Sequence, residues 1–336
     1  MSRRPGPMRS PIFRFASRCA AIVVAAVLAV PAAAEELAGK TITIVVPYSP
    51  GAVSDPLARL IAPKLAELLG AKVIIENRTG GNTNIGMLHV AKSPPDGRTL
   101  LFAGTPIIIN VPIYKDKLPF DPLKDFAPIT LVTTSYSVLV ANPSLKAGNV
   151  KELVALLKDR PGTFTYASAG SGNMTHLIME FFKQKSATDV MHVPYRGAGP
   201  ALNDVLAGHA AMMVISTGPV EPHIKAGRLR AIAVTGSKRL LLLPEVPTFA
   251  EQGMPMPEAD YGTIFGMLAP AGTPPATIDT LHKALTTVLT DPDMQHRIRS
   301  MGFEPSPTTP DQYAEIIRSQ IEKWTPLIER AGITLN

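Results

Sequence analysis

Two short loops carry the residue types best suited to hold an anion without a charged side chain. They are Pro47-Tyr48-Ser49-Pro50-Gly51-Ala52-Val53-Ser54-Asp55 and Ser168-Ala169-Gly170-Ser171-Gly172-Asn173. Each follows a short β-run and delivers the chain into a helical pattern. At a helix start the backbone N–H groups have no partner within the helix, and the macrodipole presents its positive end. In open α/β sheets, ligands sit outside the carboxyl ends of the strands, where both loops fall. Each loop alone also reads as an ordinary strand-to-helix turn, and Asp55 alone as a helix cap ahead of Pro56. Facing each other across a cleft, the two would suit a ligand bearing carboxylates.

The patterns of catalysis are absent or incomplete. Ser171 has Ala169 and Asn173 where a nucleophile elbow requires glycines. Gly197-Ala198-Gly199 follows a β-run, but Leu202 occupies the third glycine position of a dinucleotide fingerprint. The seven histidines show none of the paired spacings of a zinc site, and no carboxylates stand out as an acid–base couple. His89, His209, His223, His282 and His296 read as surface or boundary residues, and His176 as a residue that stabilises its own helix. The sequence therefore predicts no enzyme, no metal site and no cofactor.

The elements that would position the two loops alternate along the chain. Thr41 to Val46 reads as a strand ended by Pro47, and Asp55 to Leu69 as a helix with Leu57, Leu60, Ile61, Leu65, Leu68 and Leu69 at helical spacing and Gly70 as its stop. Further strands are expected over 72–76, 99–103, 164–167, 191–193, 211–215 and 229–234, and helices over 275–289, 292–301 and 310–331. Alternation of this kind predicts an α/β architecture with largely parallel sheets. The 33 prolines of the 336 residues punctuate periodic segments rather than cluster, so they mark strand ends and helix starts. With no linker in sight, two domains would have to be joined by strands that cross between them and act as hinges.

The first residues read as an address. Arg3, Arg4, Arg9, Arg14 and Arg18 precede an apolar stretch from Cys19 to Val30, and Pro31-Ala32-Ala33-Ala34 supplies the small residues of a cleavage site. This is the pattern of a cleaved secretory signal over residues 1–34 and predicts a periplasmic protein. The stretch is short for a membrane span and is interrupted by Pro31, which argues against an uncleaved anchor. Of 33 basic and 27 acidic residues, five arginines and no acid lie in the leader, leaving 28 against 27. A nearly neutral mature chain predicts no nucleic-acid or membrane surface. The single cysteine leaves with the leader, so no disulfide is available and core burial must hold the fold.

Ordered sequence blocks then carry a resemblance. VPYSPGAVSDPLAR ending at Arg59, VIIENRTGGNTNIG (73–86), AKSPPDGRTLLFAGT (91–105), LPFDPLKDFAPI (118–129) and FTYASAGSGNMTHL (164–177) are followed by HVPYRGAGPALNDVLAGH (192–209). IKAGRLRAIAVTGSKR (224–239), LPEVPTFAEQGMP (243–255) and LAPAGTP (268–274) complete the series. From Thr41 to the C-terminus the chain resembles the Bug (Bordetella uptake gene) receptors, the extracytoplasmic solute-binding components of tripartite tricarboxylate transporters. The resemblance implies a periplasmic binding protein type II fold, a Venus flytrap of two α/β domains joined by two hinge crossings near Ser135 and Gly262. The domains would comprise 35–135 with 262–336, and 136–261. It also implies a small organic acid as ligand (a di- or tricarboxylate, an amino acid or an aromatic acid) and a monomer. The partner would be the membrane permease subunits of such a transporter or, alternatively, a membrane sensor kinase that reads the ligand without transport.

On this reading the ligand carboxylate is held by Tyr48, Ser49, Gly51, Ala52, Val53, Ser54 and Asp55 on one side and by Ser168, Ala169, Gly170, Ser171, Gly172 and Asn173 on the other. Asn84 and Thr105 complete the pocket in the first domain. The far end of the ligand is read by Ser216 and Arg196, although Arg196 equally suits an ion pair with Asp204. Against the family's pattern, Ala52 and Val53 stand where glycines or small residues are usual, Thr79 where proline is common, and Asn82 and Thr83 where residues are small. Ile264 stands where a pocket-edge tryptophan is expected.

Overall fold

The computed structural model describes residues 37–52, 54–259, 262–330 and 332. The expected leader and Val53 lie outside the described residues. Strand β1 (Thr41–Val46) buries Ile42, Ile44, Val45 and Val46, the pattern of an interior strand covered on both faces. It pairs in parallel with β2 (Lys72–Asn77) and β3 (Thr99–Gly104). Helix α1 (Ser54–Leu69) crosses from β1 to β2 and buries Leu57, Ile61, Leu65 and Leu69 along one stripe. Helix α2 (Asn84–Ala91) leads to β3, and α3 (Pro106–Tyr114) follows it.

The chain then leaves this sheet along β4 (Phe126–Ser135), passes Tyr136 and enters a second sheet as β5 (Ser137–Ala141). That sheet adds helix α4 (Val150–Asp159), β6 (Thr165–Ser168), α5 (Met174–Ser186), β7 (Met191–Pro194), α6 (Ala198–Ala207), β8 (Met212–Ser216), α7 (Glu221–Lys225) and β9 (Arg230–Val234). Its strand order is β7-β6-β8-β5-β9. Strand β10 (Thr263–Pro270) re-enters the first sheet between β4 and β3, and α8 (Pro275–Thr290), α9 (Pro292–Ser300), β11 (Glu304–Pro305) and α10 (Pro310–Arg330) close that half. The first sheet reads β11-β4-β10-β3-β1-β2.

The expectation of largely parallel sheets needs correction. Pairings within each crossover unit, β1 with β2 and β3 and β6 with β7 and β8, are parallel. Every ladder made by β4, β5 and β10 is antiparallel. The reason is directional. Strands such as β3 and β8 end at the boundary between the sheets, whereas β5 and β10 start there, so neighbours must run opposite ways. Thr263 consequently pairs with Ser135, and Ser137 with Ser216.

The two passages touch. Ser135 and Gly262 form an isolated bridge, and the Ser137 N–H donates to Thr235 Oγ1 at 2.8 Å. One apolar core spans both halves, joining Leu101 and Ile264 of the first sheet to Leu139 and Tyr166 of the second. Helix α10 contributes Tyr313, Trp324 and Ile328 to the same core.

Gly262 has φ +55°, and a Cβ there would lie 2.2 Å from the Ser135 carbonyl oxygen. Gly272 has φ +81° but meets nothing nearer than Pro95 at 3.9 Å. Gly272→Ala should therefore cost about 1–2 kcal/mol from backbone conformation alone, and Gly262→Ala clearly more. Urea unfolding of both variants checks this, and equal losses would mean that the passage yields freely.

Candidate functional site

Between the two sheets lies a cavity of about 480 Å³. The first half lines it with Tyr48, Ala52, Ser54, Asn82, Thr105, Pro106, Ile109 and Phe303. The passages add Ser135, Ser137, Thr263 and Phe265, and the second half adds residues 169, 171–175, 198, 215 and 216. Helices α1, α3, α5 and α6 all begin at this wall, through Ser54, Pro106, Met174 and Ala198. Among the described lining residues there is no Asp, Glu, Lys, Arg or His.

The loop at 168–173 owes its shape to its own hydrogen bonds. The Ala169 N–H donates to Thr175 Oγ1 at 2.9 Å, that of Gly170 to Ser168 Oγ at 3.2 Å, and that of Gly172 to His176 Nδ1 at 3.0 Å. Asn173 caps α5 by accepting from the Thr175 N–H at 2.7 Å. These bonds occupy four amides. Among the described residues, those of Ser171, Asn173 and Met174 have no protein partner. Ala169, Ser171, Gly172 and Asn173 line the cavity, whereas Ser168 and Gly170 form the layer behind it.

That layer is built from rings. His176 and His192 stack at 4.0 Å, and Tyr166 stacks on His192 at 4.8 Å. Ser168 Oγ lies 2.6 Å from His192 Nε2. Because His176 Nδ1 accepts from Gly172, its proton resides on Nε2, which is 4.0 Å from Glu180 Oε1. Glu180 also accepts from the Tyr166 hydroxyl at 2.5 Å and from Lys183 at 2.7 Å. Burial lowers the pKa of His176, and it holds that of His192 down at about 4, with neighbouring His176 adding to the effect. His176 thus holds the cleft loop as well as sitting in its helix. No local pattern signals the pairing, because His192 arrives from the neighbouring strand.

On the opposite side, Asp55 corrects the expected cap. The helix begins one residue earlier, at Ser54, and the Asp55 carboxylate reaches back to the Gly51 N–H at 3.1 Å. It also accepts from Arg59 Nε at 3.0 Å and Asn77 Nδ2 at 2.9 Å, while Asn77 holds the Tyr48 carbonyl oxygen at 3.0 Å. Chiefly through the Arg59 hydrogen bond, the carboxyl is held down at about 2. Asp55 staples the loop from behind and does not line the cavity. Ser49 and Gly51 lie at the exposed tip, also off the wall. Ser54 faces the cavity, is 1% exposed, and its hydroxyl has no partner.

Thr105 lines the wall as expected, and its Oγ1 accepts from the Ile264 N–H at 3.1 Å. Asn84 does not, because its Oδ1 is taken up by the buried Asn110 at 2.8 Å. Its neighbour Asn82 lines the wall instead, at φ +51° and donating to Asn110 at 2.7 Å. Ser216 is in place at the end of β8. Arg196 is exposed and off the wall, and the alternative ion pair with Asp204 does not form either. Asp204 is engaged by the Tyr195 hydroxyl at 2.5 Å and His209 at 3.5 Å. Ile264 is likewise not a pocket edge. It points into the core, and the strand alternation presents Thr263 and Phe265 to the cavity. Phe265 meets Tyr48 and Phe303 edge-on at 6.1 and 5.7 Å, an aromatic wall that long-range contacts assemble.

Known proteins match this chain over most of its length. A family model described as "Tripartite tricarboxylate transporter family receptor" matches residues 57–333. Protein BugT of Bordetella pertussis is 33% identical over 315 residues, covering 93% of this chain and 96% of BugT. An R. palustris protein solved with adipate is 31% identical with a TM-score of 0.71, over 88% of this chain and 99% of that one. MatC from Rhodopseudomonas palustris, solved with bound malate, is 28% identical with a TM-score of 0.68, over 86% and 99% of the two chains. The architecture is the expected two-domain type II fold of periplasmic binding proteins.

Two outcomes follow from the layers behind the loops. Asp55→Ala removes a carboxylate shared by three donors and should lower the unfolding free energy by roughly 2–3 kcal/mol, against about 1 kcal/mol for a simple cap. His192, held at about 4 in the fold, titrates near 6.5 when unfolded. As pH falls below 6.5 the unfolded chain takes up a proton that the fold refuses, so this contribution to stability declines until about pH 4 and is constant beyond. Urea unfolding across that window should show a steeper decline for the native chain than for His192→Gln.

Proposed function

We propose that this chain, which belongs to the tripartite tricarboxylate transporter receptor family, captures a small organic acid between its two domains and hands it to the family's membrane permease subunits. The observation that carries the reading is the set of unpartnered donors on an uncharged wall: the Ser54 hydroxyl and the amides of Ser171, Asn173 and Met174. A carboxylate offers two oxygens with about four lone-pair sites, a match in number. The starts of α1 and α5 add the positive ends of their dipoles. The relatives solved with adipate and malate support an acid as the ligand class.

In this reading the open receptor admits the acid to one loop, and rotation of the domains brings the other onto it. The domains are 35–135 with 262–336, and 136–261, and they turn about the passages at Ser135–Ser137 and Gly262. Ser216 and Thr105 complete the enclosure, and bridging waters fill remaining gaps at little cost in affinity. The same reading places the receptor in the periplasm, exported by residues 1–34, and has it act as a monomer.

Ser171→Trp tests the reading, because Ser171 is exposed in the loop and its bulk would fall on the donor set. Without ligand its melting temperature should stay close to that of the native chain. An acid at a hundredfold over its Kd should add about 2.7 kcal/mol of stability to the native chain and nothing to the variant. A native chain that no organic acid stabilises would end the proposal.

A further inference from the structure

Resting on that carboxylate reading, we infer that Asn82 is a specificity-determining residue of the cleft. Its side-chain oxygen, aimed by Asn110, reads a hydroxyl or amino group on the body of the bound acid. Asn110 interrupts the apolar run of α3 and is fully buried. A carboxamide in such a place needs partners for its polar atoms. Its side-chain partners all come from the turn that leads into α2. Asn110 Nδ2 donates to the Asn82 backbone carbonyl oxygen at 2.9 Å and to Asn84 Oδ1 at 2.8 Å. Asn110 Oδ1 accepts from Asn82 Nδ2 at 2.7 Å. Tyr114, one helical turn further on the same face, donates to the Gly81 carbonyl oxygen at 3.3 Å.

This clamp holds a turn that the chain would not adopt unaided. Gly80, Gly81, Asn82 and Thr83 have φ of +114°, +56°, +51° and +75°. Glycine takes such values freely, asparagine at some cost and β-branched threonine at more. Strained backbone of this kind persists only where its surroundings over-determine it. Here it delivers Asn82 to the cavity wall.

The clamp also fixes which end of Asn82 meets the ligand. A backbone carbonyl can only accept, so the Asn110 nitrogen lies against it and the Asn110 oxygen faces Asn82. Asn82 therefore turns its nitrogen toward Asn110, and its Oδ1 has no protein partner among the described residues. The other carboxamide on the wall, Asn173, has its oxygen occupied by the Thr175 amide and hydroxyl. A carboxamide oxygen gains nothing from a carboxylate and gains from a donor. Nδ2 keeps one proton beyond the one given to Asn110, which suits the lone pair of a hydroxyl. Closure over an acid without a donor leaves Oδ1 desolvated and unpaired, which penalises that acid.

Titration calorimetry on the full mature chain, with acids paired by a single hydroxyl, tests the inference. The pairs are succinate and malate, tricarballylate and citrate, and benzoate and 3-hydroxybenzoate, with aspartate as the amino counterpart of malate. In the pair that binds most tightly, the donor-bearing acid is expected to bind about tenfold better than its partner. Asn82→Gly, where glycine suits the positive φ, should abolish that preference while the donor-free acid keeps its Kd. Asn110→Ala, checked for an unchanged circular dichroism spectrum, should shrink the preference in the same selective way. A merely structural role for Asn110 would weaken both acids alike. Equal binding within the tightest pair, or a preference that survives Asn82→Gly, overturns this inference and leaves the carboxylate reading standing. Silence from all of these acids overturns both.

Discussion

The antiparallel ladder between β4 and β10 is the constraint on which the rest of this architecture hangs. It lays the outgoing and returning passages of the chain side by side, with Thr263 opposite Ser135. Two α/β halves are thereby joined by paired extended backbone and not by a flexible tether. The same ladder sets β10 against β3, with Phe265 opposite Gly104. Residues that would otherwise be remote, at 48, 105, 135, 263 and 303, therefore meet at one wall.

Behind this wall the charges are arranged in a second row. Asp55 with Arg59 stands behind one loop, and Glu180 with Lys183 behind the other. Each carboxylate is neutralised where it lies and spends its remaining acceptor capacity on loop or ring groups. Gly51 is pinned from one side by Asp55 and Gly172 from the other by His176. What faces the cavity is uncharged among the described residues: loop backbone, hydroxyls and apolar side chains. Preorganised dipoles of this kind need little rearrangement to receive charge, which is why a site without a cation can still attract an anion.

Local chemistry was legible in the sequence where it is local in space. Ser54, Ser171 and Asn173 stand at helix starts, and the turn signals that mark those starts are contiguous in the chain. The strands around them were readable within a residue or so for the same reason. Assignments failed where the deciding partner is remote. Asn84 looked like a pocket residue until Asn110 claimed its side chain, and Asp55 looked like a cap until Asn77 and Arg59 did. Ile264 reads as the pocket edge in place of its neighbours because strand phase is invisible without a sheet to measure it against. Phe303 carries no signal at all, since only the return of β11 beside β4 places it at the cleft.

The partition between a charged back row and a neutral front row also bears on how such a chain can change over generations. Ser54 is buried with an unsatisfied hydroxyl, and Ser171 stands exposed in its loop, so neither holds the fold together. On the proposed reading, substitutions among front-row residues retune the preferred solute while the ion pairs that shape the loops stay untouched. A lineage can duplicate this scaffold and diversify its diet without first having to reinvent its skeleton.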